Sequence, residues 1–225
     1  GNVLSQFFAD DPSDRGGIFV DVADTNGDGV GEIFVTPEHG GTGEIKVFNR
    51  FGHLQGLIRP FGRERGTIQV AFGNMDEDME DELITLWSEN PNPTVRILDG
   101  NGRYLRDMPL SPSLMGAVTL ASGDMDGDGE DEIVITSARA RSPFVEVYSS
   151  QGAREQFVSV FTPSMRAGLD VCVGDIDQNG RSEMYVTPKE GGGAHMQMLD
   201  GDGLLLGSFF AFEARGRFGA TCAIW

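Results

Sequence analysis

A ten-residue acidic phrase recurs along this chain at a nearly constant interval, and that interval limits the possible folds more than any other feature. Gly123–Glu132 reads GDMDGDGEDE, Ala23–Glu32 reads ADTNGDGVGE, Gly73–Glu82 reads GNMDEDMEDE and Gly174–Glu183 reads GDIDQNGRSE. Their first oxygen-bearing residues, Asp24, Asn74, Asp124 and Asp175, are 50, 50 and 51 residues apart. A fixed period of this size marks stacked or radial copies of one supersecondary unit.

Counted from that first residue, oxygen side chains stand at positions 1, 3, 5 and 9. They are Asp24, Asn26, Asp28 and Glu32; Asn74, Asp76, Asp78 and Glu82; Asp124, Asp126, Asp128 and Glu132; and Asp175, Asp177, Asn179 and Glu183. On a tightly curled loop, alternate positions point at one centre. Position 7, occupied by Val30, Glu80, Glu130 and Arg181, would add a backbone carbonyl. Such an all-oxygen set suits a hard cation, and calcium tolerates its irregular geometry better than magnesium. The lack of histidine and thiolate argues against zinc or copper. An EF-hand would need glutamate at position 12 leading into a helix. That position holds Val35, Ile135 and Val186, inside apolar runs, so the loops lead into strands and the EF-hand is excluded.

Each repeat reads as four strands. In the third, Gly116–Ala121 runs into the loop, and Ile133–Ile135 continues as an apolar run buried on both faces. Phe144–Tyr148 then alternates apolar and polar residues, and a fourth strand lies around Phe157–Phe161. Turns closing on Gly52, Gly102, Gly152 and Gly203 keep the same period, with the positive φ that tight β-turns use. Asp200 and Asp202 belong to one of these turns rather than to a fifth metal site. Four antiparallel strands per repeat predict an all-β fold, a β-propeller of four-stranded antiparallel blades, with repeats at about 17–65, 66–115, 116–166 and 167–215.

The loops and their flanking strands, Val118–Leu120 before and Glu132–Ile135 after, resemble FG-GAP/VCBS repeats. These are the calcium-bearing blades of integrin-α-like propellers and of bacterial surface proteins. Ser208–Phe212 (SFFAF) and Gly191–His195 (GGGAH) resemble the bacterial version. The resemblance covers nearly the whole chain and implies up to four Ca²⁺ ions on the residues named above. It further implies a non-catalytic extracellular, cell-surface or periplasmic module with a structural, adhesive or self-assembling role. The Asp124 loop, with four carboxylates, is expected to bind most tightly. The Asn74 loop is expected to be weakest, because Met79 replaces the glycine of position 6.

The ends repeat the pattern incompletely. Leu4–Phe8 matches Leu206–Phe210, a fourth strand, and Gly219–Trp225 matches Gly116–Ser122, a first strand. Residues 1–16 and 216–225 are therefore expected to be orphan strands. They would belong either to a segment of a longer propeller or to an assembly in which identical subunits or other blades pair head to tail through terminal strands. The chain starts at Gly1, so it is expected to be a processed or excised piece.

Charge narrows the partners. Seventeen basic residues face 35 acidic ones, a net charge of −18, which disfavours nucleic acid. Four divalent ions would bring the net charge to −10, so part of the acidity is a metal signature. No apolar run reaches the roughly 20 residues of a membrane span. Cys172 and Cys222 read as two small buried hydrophobes, since a bond cannot be judged without distances. His39, His53 and His195 stand in unrelated contexts, with His195 in a surface slot, and no catalytic constellation is evident. Trp87 and Trp225 read as packing residues. The alternative function is a carbohydrate-binding or polysaccharide-lyase propeller, with a carbohydrate or a surface protein as partner.

Overall fold

The computed structural model describes the chain except residues 1, 2, 4, 14, 39, 40, 77, 79, 88–92, 115–117, 138–142, 190, 214, 215, 218 and 225. Met79, His39 and Trp225, singled out above, therefore lie outside the described residues. The architecture is all-β, with four antiparallel four-stranded sheets, each a propeller blade whose strands lie side by side in chain order. The first blade holds β1 (Ile18–Ala23), β2 (Glu32–Pro37), β3 (Ile45–Phe48) and β4 (Leu54–Ile58). The second holds β5 (Ile68–Gly73), β6 (Glu82–Trp87), β7 (Thr94–Leu98) and β8 (Tyr104–Pro109). The third holds β9 (Val118–Gly123), β10 (Glu132–Ser137), β11 (Phe144–Tyr148) and β12 (Arg154–Ser159). The fourth holds β13 (Leu169–Gly174), β14 (Glu183–Pro188), β15 (His195–Leu199) and β16 (Leu205–Phe210).

Burial follows the sequence pattern. The β-branched run of β10 and the matching β14 are buried at every residue, as strands covered on both faces must be. The fourth strands β4, β12 and β16 are largely exposed. Packing divides the chain into two compact units, residues 1–72 with 78–108 and residues 73–77 with 109–225. In the first unit Ala23, Phe34, Ile45, Ile68, Leu83 and Leu98 form a core shared by the first two blades. In the second, Met125, Val134, Val145, Val171, Met184 and Val186 do the same for the last two.

The third-to-fourth-strand turns are built alike. The Gly52, Gly102, Gly152 and Gly203 amides donate to the carbonyls of Asn49, Asp99, Ser149 and Asp200 at 2.8, 2.8, 2.8 and 2.9 Å. All four glycines have φ between 78° and 85°. The Asp200 carboxylate accepts the amides of Asp202 and Leu204 at 3.1 and 2.8 Å, so it caps a hairpin.

A second periodic device was not visible in the sequence. At the centre of each third strand, one side chain reaches back to the segment that precedes its blade. Lys46 Nζ donates to the Ala9 carbonyl (3.0 Å), and Arg96 Nη1 donates to the Pro60 carbonyl (2.7 Å). Glu146 accepts from Ser113 Oγ, and Gln197 Oε1 accepts from the Phe161 amide (3.1 Å).

Neither terminal segment forms a strand among the described residues. Their contacts nonetheless copy those of neighbouring blades. Phe7 lies against Gly52 as Ile58 lies against Gly102 and Val158 against Gly203. Ile224 lies against Gly174 as Val173 lies against Gly123. The bond that the sequence left open is present: Cys172 and Cys222 are not merely two small buried hydrophobes but form a disulfide, with Cα atoms 5.8 Å apart. Its cause is the placement of the C-terminal segment beside β13 and β14, where the Ala220 amide donates to the Pro188 carbonyl at 3.0 Å. His195 is also corrected. It is half-buried, its ring stacked 4.6 Å from Phe210 and edge-on 5.3 Å from Phe161, rather than standing in a surface slot. Trp87 packs as expected, with its ring 6.2 Å from Phe61.

Candidate metal centres

Each acidic phrase forms the connection from the first to the second strand of its blade, and a ladder of side-chain-to-amide bonds curls it. In the third blade, Asp124 Oδ1 accepts the amides of Gly127 (2.6 Å) and Asp128 (3.2 Å), while its Oδ2 accepts that of Gly129 (3.1 Å). Asp126 Oδ1 accepts from Asp128 (3.1 Å) and Asp128 Oδ1 from Glu130 (2.8 Å). The Asp175 loop repeats this with Asn179, Gly180 and Arg181 as donors at 2.8–3.1 Å. The Asp24 loop does so with Asp28, Gly29 and Val30 at 2.7–3.2 Å. In the Asn74 loop, Asn74 Oδ1 accepts from Asp76 (3.3 Å) and Asp78 Oδ1 from Glu80 (2.8 Å).

The curl needs left-handed backbone at two places, of which the sequence had indicated one. Position 6 is Gly29, Gly129 and Gly180, with φ of 81°, 96° and 86°. Position 4 is also left-handed, at Gly27 (69°), Gly127 (82°) and Gln178 (60°). Gln178 is one of two non-glycine residues with positive φ among the described residues. The signal was present as glycine at position 4 in two loops, but Gln178 obscured it.

Among the described residues, carboxylates converge to within 4.8 Å of one another in three loops. The groups are Asp76, Asp78 and Glu82; Asp124, Asp126 and Asp128; and Asp175, Asp177 and Glu183. In the Asp24 loop the amide of Asn26 stands among the acids, its Nδ2 donating to Glu32 Oε1 at 3.0 Å. The position-9 acids Glu82, Glu132 and Glu183 are buried beneath the loops, while Glu32 is half-buried. Glu132 Oε2 accepts the Met125 amide at 2.8 Å, and Glu183 Oε2 accepts that of Ile176 at 3.1 Å. Burial, joined by Asp126, Glu155 and Asp128, pushes the Glu132 carboxyl up to about 7 against the lowering effect of the Met125 amide. Glu155 itself is raised, first by burial and then by Asp126 and Asp128. It is a site residue the sequence reading missed, because no acid recurs at its place in the other repeats. The side chains at position 7 turn elsewhere: Glu130 accepts from Ser150 Oγ, and Arg181 donates to the Met125 carbonyl.

These residues fit a hard divalent cation. The donors are all oxygens, and three loops bring three carboxylates to one point.

No protein-family model and no curated protein matches this chain. Solved structures do. A protein of unknown function from Bacteroides caccae aligns over 90% of this chain and 64% of its own, with TM-score 0.55 and 13% identity. An Agrocybe aegerita lectin that recognises non-reducing terminal N-acetylglucosamine aligns over 89% of this chain and 54% of its own, with TM-score 0.53 and 14% identity. The Dos1 propeller aligns over 87% of this chain and 48% of its own, with TM-score 0.50 and 13% identity. The chain thus spans between about half and two thirds of the length of these structures, and at such identities the likeness is one of fold.

Proposed function

We propose that this chain is a non-catalytic, calcium-stabilised propeller module of the FG-GAP/VCBS type, serving as a structural, adhesive or self-assembling part of an extracellular or cell-surface protein. The observation that carries the reading is the convergence of carboxylates within 4.8 Å in three periodic loops. Asp124, Asp126 and Asp128, with Glu132 beneath, would hold one ion; Asp175, Asp177, Asn179 and Glu183 a second; Asn74, Asp76, Asp78 and Glu82 a third; and Asp24, Asn26, Asp28 and Glu32 a fourth. The ion supplies charge neutralisation. The chain supplies curled loops that hold the donors in place.

The Cys172–Cys222 disulfide supports an oxidising compartment. No helix among the described residues is long and apolar enough to cross a membrane. Calcium sites in extracellular modules work at roughly 10⁻⁴–10⁻³ M. At about 2 mM calcium, mass action then adds roughly 0.6–1.8 kcal/mol per site. Calorimetry in calcium against chelator tests the reading. Three or four sites should raise the melting temperature by at least about 4 °C, and an unchanged temperature removes calcium from the proposal.

The lectin neighbour favours one second reading, a carbohydrate-binding propeller. Glycan-array binding that survives mutation of the acidic loops would support it over a purely structural role.

A further inference from the structure

Adjacent acidic loops of the second unit share a peptide group. The peptide between Asp124 and Met125 accepts the Ser182 amide on its carbonyl, at 2.6 Å, and donates its own N–H to Glu132 Oε2, at 2.8 Å. Ser182 directly precedes Glu183, the position-9 acid of the Asp175 loop. One hydrogen-bonded chain therefore runs from the acid end of the fourth-blade loop through the first ligand residue of the third-blade loop to that loop's buried carboxylate. Polarisation along such a chain strengthens each member, and its orientation is shared.

A side chain adds a second strap. Arg181 Nε donates to the next carbonyl, that of Met125, at 3.0 Å, and its Nη2 holds Asp202 at 3.1 Å. Space for this is kept by two glycines. A Cβ on Gly127 would lie 3.1 Å from Arg181 Cγ, and one on Gly201 only 2.0 Å from the Met125 oxygen. Met125 is itself locked, 1% exposed in the core with Val171 and Met184. The other position-7 residues, Val30, Glu80 and Glu130, carry no cationic group. The strap therefore belongs to this pair of loops.

We infer that the Asp124 and Asp175 cation sites are positively coupled through the Asp124–Met125 peptide and the Arg181 guanidinium. This rests on the calcium reading above and deepens it. An ion on the Asp175 loop fixes Glu183, and with it Ser182 and Arg181. The Asp124 loop then binds without ordering its first peptide anew, so the ordering cost is met once for two ions. Linkage makes the effect reciprocal, and couplings of this kind run from roughly five-fold upward. Arg181 is here a positioning residue, because it touches loop backbone rather than the ion.

The test is a calcium titration of the whole chain followed by NMR, with the Gly129 and Gly180 amides reporting the two loops separately. In Asp175→Asn/Asp177→Asn, calcium affinity read at Gly129 should fall at least about five-fold. Asp177→Ala alone serves if the double variant does not give a folded spectrum. In Arg181→Met the same comparison should give a smaller factor, with the Ser182 contact leaving part of it. Affinity at Gly129 indifferent to the state of the Asp175 loop overturns the coupling. A factor undiminished in Arg181→Met overturns the share given to the guanidinium. If wild type shows no calcium-dependent shift at either glycine, the calcium reading itself fails, a result distinct from two independent sites.

Discussion

Breaking the Cys172–Cys222 bond should cost this protein far more than the loss of one local contact. The bond joins β13 to a segment 50 residues later, so the closed loop contains β14, β15 and β16 entire. Chain-entropy arguments put the constraint that a loop of about 50 residues places on the unfolded chain at roughly 4 kcal/mol. For a chain of this size each kcal/mol moves the melting point by about 2–4 °C, which gives a drop of about 8–16 °C. The assay is scanning calorimetry in saturating calcium with and without a phosphine reductant, repeated on Cys222→Ala and Cys172→Ala.

Both variants lose the same loop closure, so both should fall by a similar amount. Cys172→Ala should fall somewhat further, because Cys172 is buried among core residues while Cys222 is half-buried. A shift below about 3 °C in Cys222→Ala would refute the loop-closure reasoning. The bond would then be only a tether for the segment that carries Ala220 and Ile224. Opposite ordering of the two variants would contradict the packing part of the argument.

Three other outcomes follow from single positions. Gln178→Gly relieves a left-handed residue at φ 60° and should raise stability by about 1 kcal/mol in urea melts, since the Asp24 and Asp124 loops place Gly27 and Gly127 there. Gly201→Ala should lower stability by about 2 kcal/mol, because its methyl would meet the Met125 carbonyl, whereas Gly207→Ala, with open space around it, is the near-neutral control. In chelator, stability should decline as pH rises. The Glu132 carboxyl titrates at about 7 when folded against an ordinary 4.5, so its share is complete below about 4.5 and lost by about 7. Urea midpoints across that range should fall less steeply in Glu132→Gln.

Much of the fold was legible because its signals are local. An oxygen-bearing Asp or Asn at i, i+2 and i+4 with glycine at i+5 makes the same amide ladder in the loops of Asp24, Asp124 and Asp175. The turn glycines 52, 102, 152 and 203 are equally self-contained. What stayed hidden depends on pairs brought together by blade packing. Cys172 and Cys222 carry no spacing rule that distinguishes a bond from two buried thiols. The back-reaching residues of the third strands escaped for another reason. Lys46, Arg96, Glu146 and Gln197 perform one task with four chemistries, donating to a carbonyl in two blades and accepting from a hydroxyl or an amide in the others. A search for recurring residue identity passes over a recurring role.

The same distinction between local and assembled features bears on what a cation does here. The curl of each loop is already satisfied by its own amides, with both oxygens of Asp24, Asp124 and Asp175 accepting main-chain N–H groups. The curl is thus written into the loop, and the ordering left to an ion is that of the position-9 acid and the peptide group it holds. What the loop's amides leave uncompensated is charge, concentrated where Glu132 and Glu155 press on Asp126 and Asp128. Repulsion among them lowers the free-energy gap to the unfolded chain without favouring any other native geometry. Chelated protein should therefore keep its far-ultraviolet circular dichroism and its Gly129 and Gly180 amide dispersion at room temperature while melting earlier. If those amides collapse toward random-coil positions on chelation, the ion shapes the loops, and the hydrogen-bond ladder is its consequence rather than its preparation.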